Sequence, residues 1–198
     1  MSGLLVLVGG SAGTGKSTAA EALAGRLGAS WLQLDTLWLA MRAIAPVGGR
    51  LRTVLDVDAH LRAAVDPVDV LVERHVAASE VVCSALPEAL ALEVETHRLV
   101  VADGAWVLPG WAADLRLPDT EIATVILHEP DPVRLRAALT ERRTGSPEPW
   151  HESSLAVFVA YGSWLARRAG DVGLAVVAPR PYATLVDRLL AALDLPAT

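Results

Sequence analysis

GGSAGTGKST, residues 9–18, follows the apolar run LLVLV at residues 4–8 and carries the only lysine of the chain. Gly10, Ser11, Ala12, Gly13, Thr14, Gly15, Lys16 and Ser17 fit the spacing G-x-x-x-x-G-K-[ST]. Glycines at these positions let the backbone curl until consecutive N–H groups face one anion. A helix starting at Lys16 adds its unpaired N–H groups and the positive end of its dipole. The stretch therefore predicts strand, phosphate-binding loop and helix. Lys16 would reach the β- and γ-phosphates of a nucleotide, and the Ser17 hydroxyl, beside Thr18, would ligate Mg²⁺. The lone lysine among sixteen arginines fits this reading. A broad planar guanidinium does not replace a compact ammonium on a slender stem inside a tight loop.

The 198 residues are 53% hydrophobic, which is enough for one α/β domain spanning residues 1–198 with a sizeable core. A net charge of −6 speaks against a nucleic-acid partner, which calls for a clustered basic face. Cys83, the only cysteine, lies beside Val81 and Val82. It has no second cysteine to pair with, so a buried thiol and a reducing, cytoplasmic setting are expected. LLVLV is too short to span a membrane, and SLAVFVAYGSWLA at 154–166 reads as a core helix, so no membrane partner is expected. Nothing in the sequence sets an oligomeric state.

Continuously apolar runs at 4–8, 31–34, 98–102, 122–127 and 174–177 read as five parallel strands covered on both faces. Helical patterns fall between them at 16–27, 36–44, 59–96 (broken near Pro87), 132–143, 152–169 and 182–193. The alternation implies a doubly wound sheet. Residues 45–58 read as a loop opening a helical acceptor-side region at 45–97. RRTGSPEPWHE, at 142–152, reads as a lid.

Several classes are excluded. The chain has no asparagine and no second lysine, so a guanine-reading N-K-x-D motif is absent. Gln33 is the sole glutamine, and no LSGGQ signature of transport ATPases occurs. The five histidines lack zinc-ligand spacing, and no G-x-S-x-G elbow is present. Asp103 closes the third strand in RLVVADG, as a Walker B acid would, and is expected to hold a Mg²⁺-bound water or to sit in a plain turn.

LLVLVGGSAGTGKSTAAEALAGRLGASWLQLDTLWLA, residues 4–40, resembles the small P-loop kinases: adenylate, shikimate and gluconate kinases, chloramphenicol phosphotransferase, and bacterial proteins labelled 2-phosphoglycerate kinase-like or AAA-type. Residues 161–190, YGSWLARRAGDVGLAVVAPRPYATLVDRLL, are similar to their C-terminal part. The resemblance implies a P-loop NTPase three-layer sandwich with a five-stranded parallel sheet and a helical lid. It also implies transfer of the γ-phosphoryl group of Mg-ATP to a hydroxyl or phosphate of a small molecule. In such kinases an acid at the position of Asp35 binds Mg²⁺ or accepts the acceptor's proton, although an aspartate before a helix also serves as an N-cap. Arg142 and Arg143 stand where lid cations stabilise the transition state, and equally where arginines meet a helix dipole. Arg180, in the loop after the fifth strand, would stack on adenine.

Trp31 and Trp164 read as core. Trp38 and Trp106 read as core or as acceptor lining, with Arg42, Arg50 and Arg52 as further acceptor contacts. Proteins of this kind often read EGD where this chain has Asp103, Gly104 and Ala105, one carboxylate fewer. That loss keeps a second reading open, an ATP-binding regulatory protein with little or no transferase activity. A polynucleotide end-modifying kinase is disfavoured by the acidic charge.

Overall fold

The computed structural model describes residues 2–63, 66–142 and 152–196. Strand β1 (Gly3–Gly10) divides its side chains between two cores, Leu5 and Leu7 on one face, Val6 and Val8 on the other, all four inaccessible to solvent. Successive side chains of a strand point to opposite faces, so a strand covered on both must be apolar throughout. β3 (Leu99–Gly104) and β4 (Thr120–Leu127) follow the same rule. With β2 (Ser30–Gln33) and β5 (Ala175–Val177) they form a sheet of order β2-β3-β1-β4-β5, every neighbouring pair parallel.

Two helices, α1 (Lys16–Leu27) and α9 (Leu185–Ala192), cover the Val6 and Val8 face. The other face carries α2 (Leu34–Ile44), α3 (Arg50–Leu55), α4 (Val57–Ala63), α5 (Val68–His97), α6 (Pro109–Asp114) and α8 (Glu152–Asp171). α7 (Pro132–Arg142) packs Leu135 and Leu139 on Leu155 of α8, over Ala12. Register fixes the edge where the chemistry gathers. Asp103 pairs with Val8 and with Gln33, Gly104 with Gly9, and Gly10 with Leu127. The carboxyl ends of four strands therefore meet at one level, where open α/β sheets bind their ligands.

The five strands lie where the apolar runs predict them, with ends shifted by one or two residues. The helices differ more. Pro87 does not break its helix: α5 runs through it from Val68 to His97, and the interruption falls instead before Val68, with Pro67 at the N-cap. An interior proline costs about 3 kcal/mol. Six Leu and Val side chains of α5 (Leu71, Val72, Val82, Leu86, Leu90, Val94) are buried, each contributing about 1.5–3 kcal/mol, so packing prevails. Residues 45–58 are not a loop throughout. The glycines form a tight turn, Gly49 N–H donating to the Pro46 carbonyl at 2.9 Å, and α3 and α4 follow, carrying Leu55 and Val57 into the core. The C-terminal segment opens with a 3₁₀ turn at Tyr182–Thr184 before α9. Among the described helices, α5 is long and apolar enough by length and composition to cross a membrane, and its apolar side packs against the sheet.

Gly10 is constrained by its surroundings: its φ is 149°, and a Cβ there would lie 2.6 Å from the Leu127 carbonyl oxygen. Gly10→Ala is expected to cost about 3 kcal/mol, or ~10 °C in melting temperature, because the obstacle is backbone of the neighbouring strand. A melting temperature within experimental error of wild type would contradict this.

Candidate active site

The chain leaves β1 at Gly10 and enters α1 at Lys16, curling between them through positive φ at Gly10, Gly13 and Gly15. The Thr14 hydroxyl donates to the Ser11 carbonyl at 2.9 Å, and both residues are buried, so the loop holds its shape without a ligand. Tyr182 lies against Gly15, where a Cβ would come within 2.9 Å of the ring. Lys16 is only 5% exposed.

Asp103 is the anchor on the facing side. Its Oδ2 accepts the Ser17 hydroxyl at 2.7 Å and its Oδ1 accepts the Trp31 indole N–H at 2.8 Å. The residue is 1% exposed, which rules out an exposed turn aspartate. Burial pushes its carboxyl above the ordinary carboxylate range, against the pull of both hydrogen bonds and of Lys16, and Asp35 adds to the upward push. Asp35 lies in the first turn of α2 and is not its N-cap, which is Gln33. No side-chain hydrogen bond caps the helix, and the Asp35 Oδ1 is buried without a partner.

A cleft of about 600 Å³ opens over the loop and the start of α1, a size suited to a small molecule. Its walls include Lys16, Ser17, Thr18, Trp31 and Tyr182, with Ala138 and Glu141 from α7. Arg180 stands to one side. Its guanidinium lies 4.9 Å over the Tyr182 ring, 3.5 Å from the Glu129 carboxylate, and it borders a second, more open hollow of about 550 Å³. Arg142 is the last residue of α7. Arg143 and the lid segment 143–151 lie outside the described residues.

On the acceptor side, Trp38 is buried and its indole N–H donates to the Leu55 carbonyl at 2.9 Å. Arg42 clamps Asp56 through two hydrogen bonds of 2.7 and 3.1 Å, with Arg52 approaching the same carboxylate at 4.0 Å. Arg50 is exposed.

Solved structures of the same architecture align along nearly the full length. A gluconokinase from Sinorhizobium meliloti is 22% identical with a TM-score of 0.57, over 96% of this chain and 90% of its own. A sugar kinase from Janibacter sp. is 17% identical, TM-score 0.57, over 100% and 97%. A shikimate kinase from Acinetobacter baumannii, solved with shikimate, is 16% identical, TM-score 0.53, over 99% and 97%. The chain has the small P-loop kinase fold. No family model matches it, and no curated protein does.

Within this small P-loop kinase fold, the structure gives four residues at or near the site a place that the sequence did not assign. Trp31, expected in the core, is instead half-buried, holds Asp103 and lines the cleft. His128 follows β4, and its buried Nδ1 has no partner. Burial lowers its pKa, with Glu129 acting the other way. Gly162 of α8 brings that helix against Ser11 and His128, where a Cβ would lie 3.0 and 3.4 Å away.

The fourth is His75. It is 6% exposed and both ring nitrogens lack partners. Glu73 and Arg74 precede it, so its immediate neighbours gave no signal of burial. Burial lowers its pKa from 6.5 to about 4, with a further contribution from the Lys16 charge. Above pH 6.5 the folded and unfolded chains both carry it neutral. Between 6.5 and 4 only the unfolded chain takes up the proton, so stability falls as pH falls. At 1.36 kcal/mol per unit, the loss from this group between pH 7 and 5 is about 2 kcal/mol. Denaturant unfolding of wild type and His75→Phe at both pH values checks this: the variant should lose correspondingly less, and equal losses would contradict it.

Proposed function

We propose that this chain is an ATP-dependent small-molecule kinase that transfers the γ-phosphoryl group of Mg-ATP to a hydroxyl or phosphate of an acceptor. The observation that carries this reading is the Ser17–Asp103 contact beside Lys16, with the loop N–H groups, at the carboxyl edge of β1 and β3. Phosphoryl transfer needs positioning and charge stabilisation more than covalent participation. Lys16 and the amides around Gly13 and Gly15 would hold the phosphates in line, while Tyr182 limits solvent access over Gly15.

The donor set fits Mg²⁺. Ser17 Oγ and the Asp103 carboxylate are hard oxygen ligands 2.7 Å apart. No group of three His, Cys, Asp or Glu residues that would cage a metal occurs among the described residues. Mg²⁺ is ordinarily held by one or two carboxylates, phosphate oxygens and water. Bound there, it would neutralise charge on the β- and γ-phosphates. Asp35, with an unpartnered oxygen, would orient the acceptor hydroxyl. α7 supplies Ala138 and Glu141 to the cleft, and the cations proposed to stabilise the transferring group are Arg142 and Arg143.

A transfer assay against sugars, antibiotics, nucleosides and phosphorylated acids tests the proposal, with ADP release and acceptor-bound phosphate both measured. Acceptor-dependent ADP release is the expected result. Tight ATP binding without transfer to any acceptor would replace the kinase by an ATP-binding regulatory protein.

A further inference from the structure

One turn of α8 reaches the site from behind at two points. Tyr161 is fully buried, and its hydroxyl donates to the Ala105 carbonyl at 2.8 Å. Gly162, the next residue, lets the helix lie against the phosphate loop, since a Cβ there would stand 3.0 Å from Ser11 Oγ. Ala105 is where a hydrogen bond has most effect on Asp103. β3 makes its last ladder pair with β1 at Gly104, so the chain leaves the sheet one residue after the acid. A Cβ at Gly104 would lie 2.9 Å from that of Leu34, which reserves the position for glycine, the residue that restrains its own backbone least. Ser17 and Trp31 hold Asp103 by its carboxylate oxygens, and Tyr161 holds the backbone that carries it.

The Tyr161 bond is directed. A carbonyl only accepts, so the contact takes the phenol proton. Ser79 Oγ, 3.1 Å from the phenol oxygen and 2.8 Å from the His75 carbonyl, has its own proton for either. The ring packs on His75 at 4.2 Å between centroids, and burial pushes the phenol pKa up, so the hydroxyl stays in place and protonated.

We propose that Tyr161 and Gly162 are positioning residues for the Mg-nucleotide site: the phenol fixes the backbone behind Asp103, and the glycine seats the phosphate loop on the same turn of α8. This rests on the Mg-nucleotide part of the reading above and on no acceptor. Neither residue lines the cleft, so they act through Asp103 and Ser11. Partners that orient a metal-binding side chain typically govern metal affinity by about 10- to 100-fold.

Calorimetric titration with the β,γ-imido analogue of ATP, in Mg²⁺ and in EDTA, tests this, and the ratio of the two affinities measures what Mg²⁺ adds. Tyr161→Phe keeps the ring and should lower that ratio about tenfold, with the EDTA affinity within about twofold of wild type. Ser79→Ala removes the phenol's other polar neighbour and leaves Ala105 held, so its ratio should stay at wild type. In an Asp103→Asn background Tyr161→Phe should lower the ratio no further. Gly162→Ala, which does not depend on the phenol, should weaken binding in EDTA as well, and Ser11→Ala in the same chain should restore it. A merely structural phenol would lower the melting temperature in Tyr161→Phe and Ser79→Ala alike and leave both ratios unchanged. That result, a Tyr161→Phe loss that multiplies with Asp103→Asn, an unaltered EDTA affinity in Gly162→Ala, or wild-type binding that Mg²⁺ does not strengthen would each overturn the proposal. A ratio lowered in Tyr161→Phe, beside no transfer to any acceptor by wild type, would keep the positioning pair and remove the kinase.

Discussion

Lys16→Arg is expected to lower kcat/KM for ATP by about 10³-fold while leaving the melting temperature within a few degrees of wild type. Removing one preorganised charge-stabilising donor from a phosphoryl- or acyl-transfer site typically costs a factor of this order. Lys16 is 5% exposed and follows Gly15, whose positive φ turns the loop into α1. An arginine retains the charge but directs it through a wide planar fork, so the loop would have to open for the fork to meet the phosphates. Initial-rate kinetics with ATP varied, beside a thermal melt, separate lost catalysis from lost folding. Turnover near wild type would show that the lone lysine in an arginine-rich chain carries no constraint of its own.

Asp103→Asn is expected to reduce kcat/KM by at least about 10²-fold and to leave the protein as stable as wild type, or more so, at neutral pH. The activity loss follows from removing the charged oxygen opposite Ser17 and with it the Mg²⁺-organising group. The stability gain follows from the sign of the pKa change. Burial raises the Asp103 carboxyl, so the folded chain holds that proton more readily than the unfolded one. The associated stability is present at low pH and is lost as pH rises through the folded pKa. A neutral amide of the same shape escapes this loss and can still accept the Trp31 N–H. Such a split between activity and stability marks a residue kept for function. Unchanged activity at saturating Mg²⁺, or a melting temperature several degrees below wild type, would contradict the assignment.

The phosphate loop and sheet could be read locally because each rests on short-range rules. Gly10 to Ser17 combines backbone freedom with a fixed spacing, and β1, β3 and β4 betray two-sided burial by uninterrupted apolar residues. α5 defeated the local reading. A proline at 87 signals a break when judged by its neighbours, yet the face from Leu71 to Val94 is held by contacts with β1 and α8, which lie far away along the chain. Asp35 was misplaced by a smaller margin: β2 stops at Gln33, and Leu34, fully buried, is already helical.

The sequence by itself determined the loop, its lysine and the alternation of strands and helices, since glycine conformation, spacing and side-chain period are properties of consecutive residues. Only the tertiary structure decided that Trp31 holds Asp103, that Asp56 draws together Arg42 and Arg52, and that His75 stacks on Trp106 without a partner for either nitrogen. The partners lie 72 positions apart for Trp31 and Asp103, 14 and 4 for Asp56 with Arg42 and Arg52, and 31 for His75 and Trp106. Beyond the shortest of these separations, register, helix packing and burial bring the partners together, and neither composition nor spacing encodes which polar atoms remain unsatisfied.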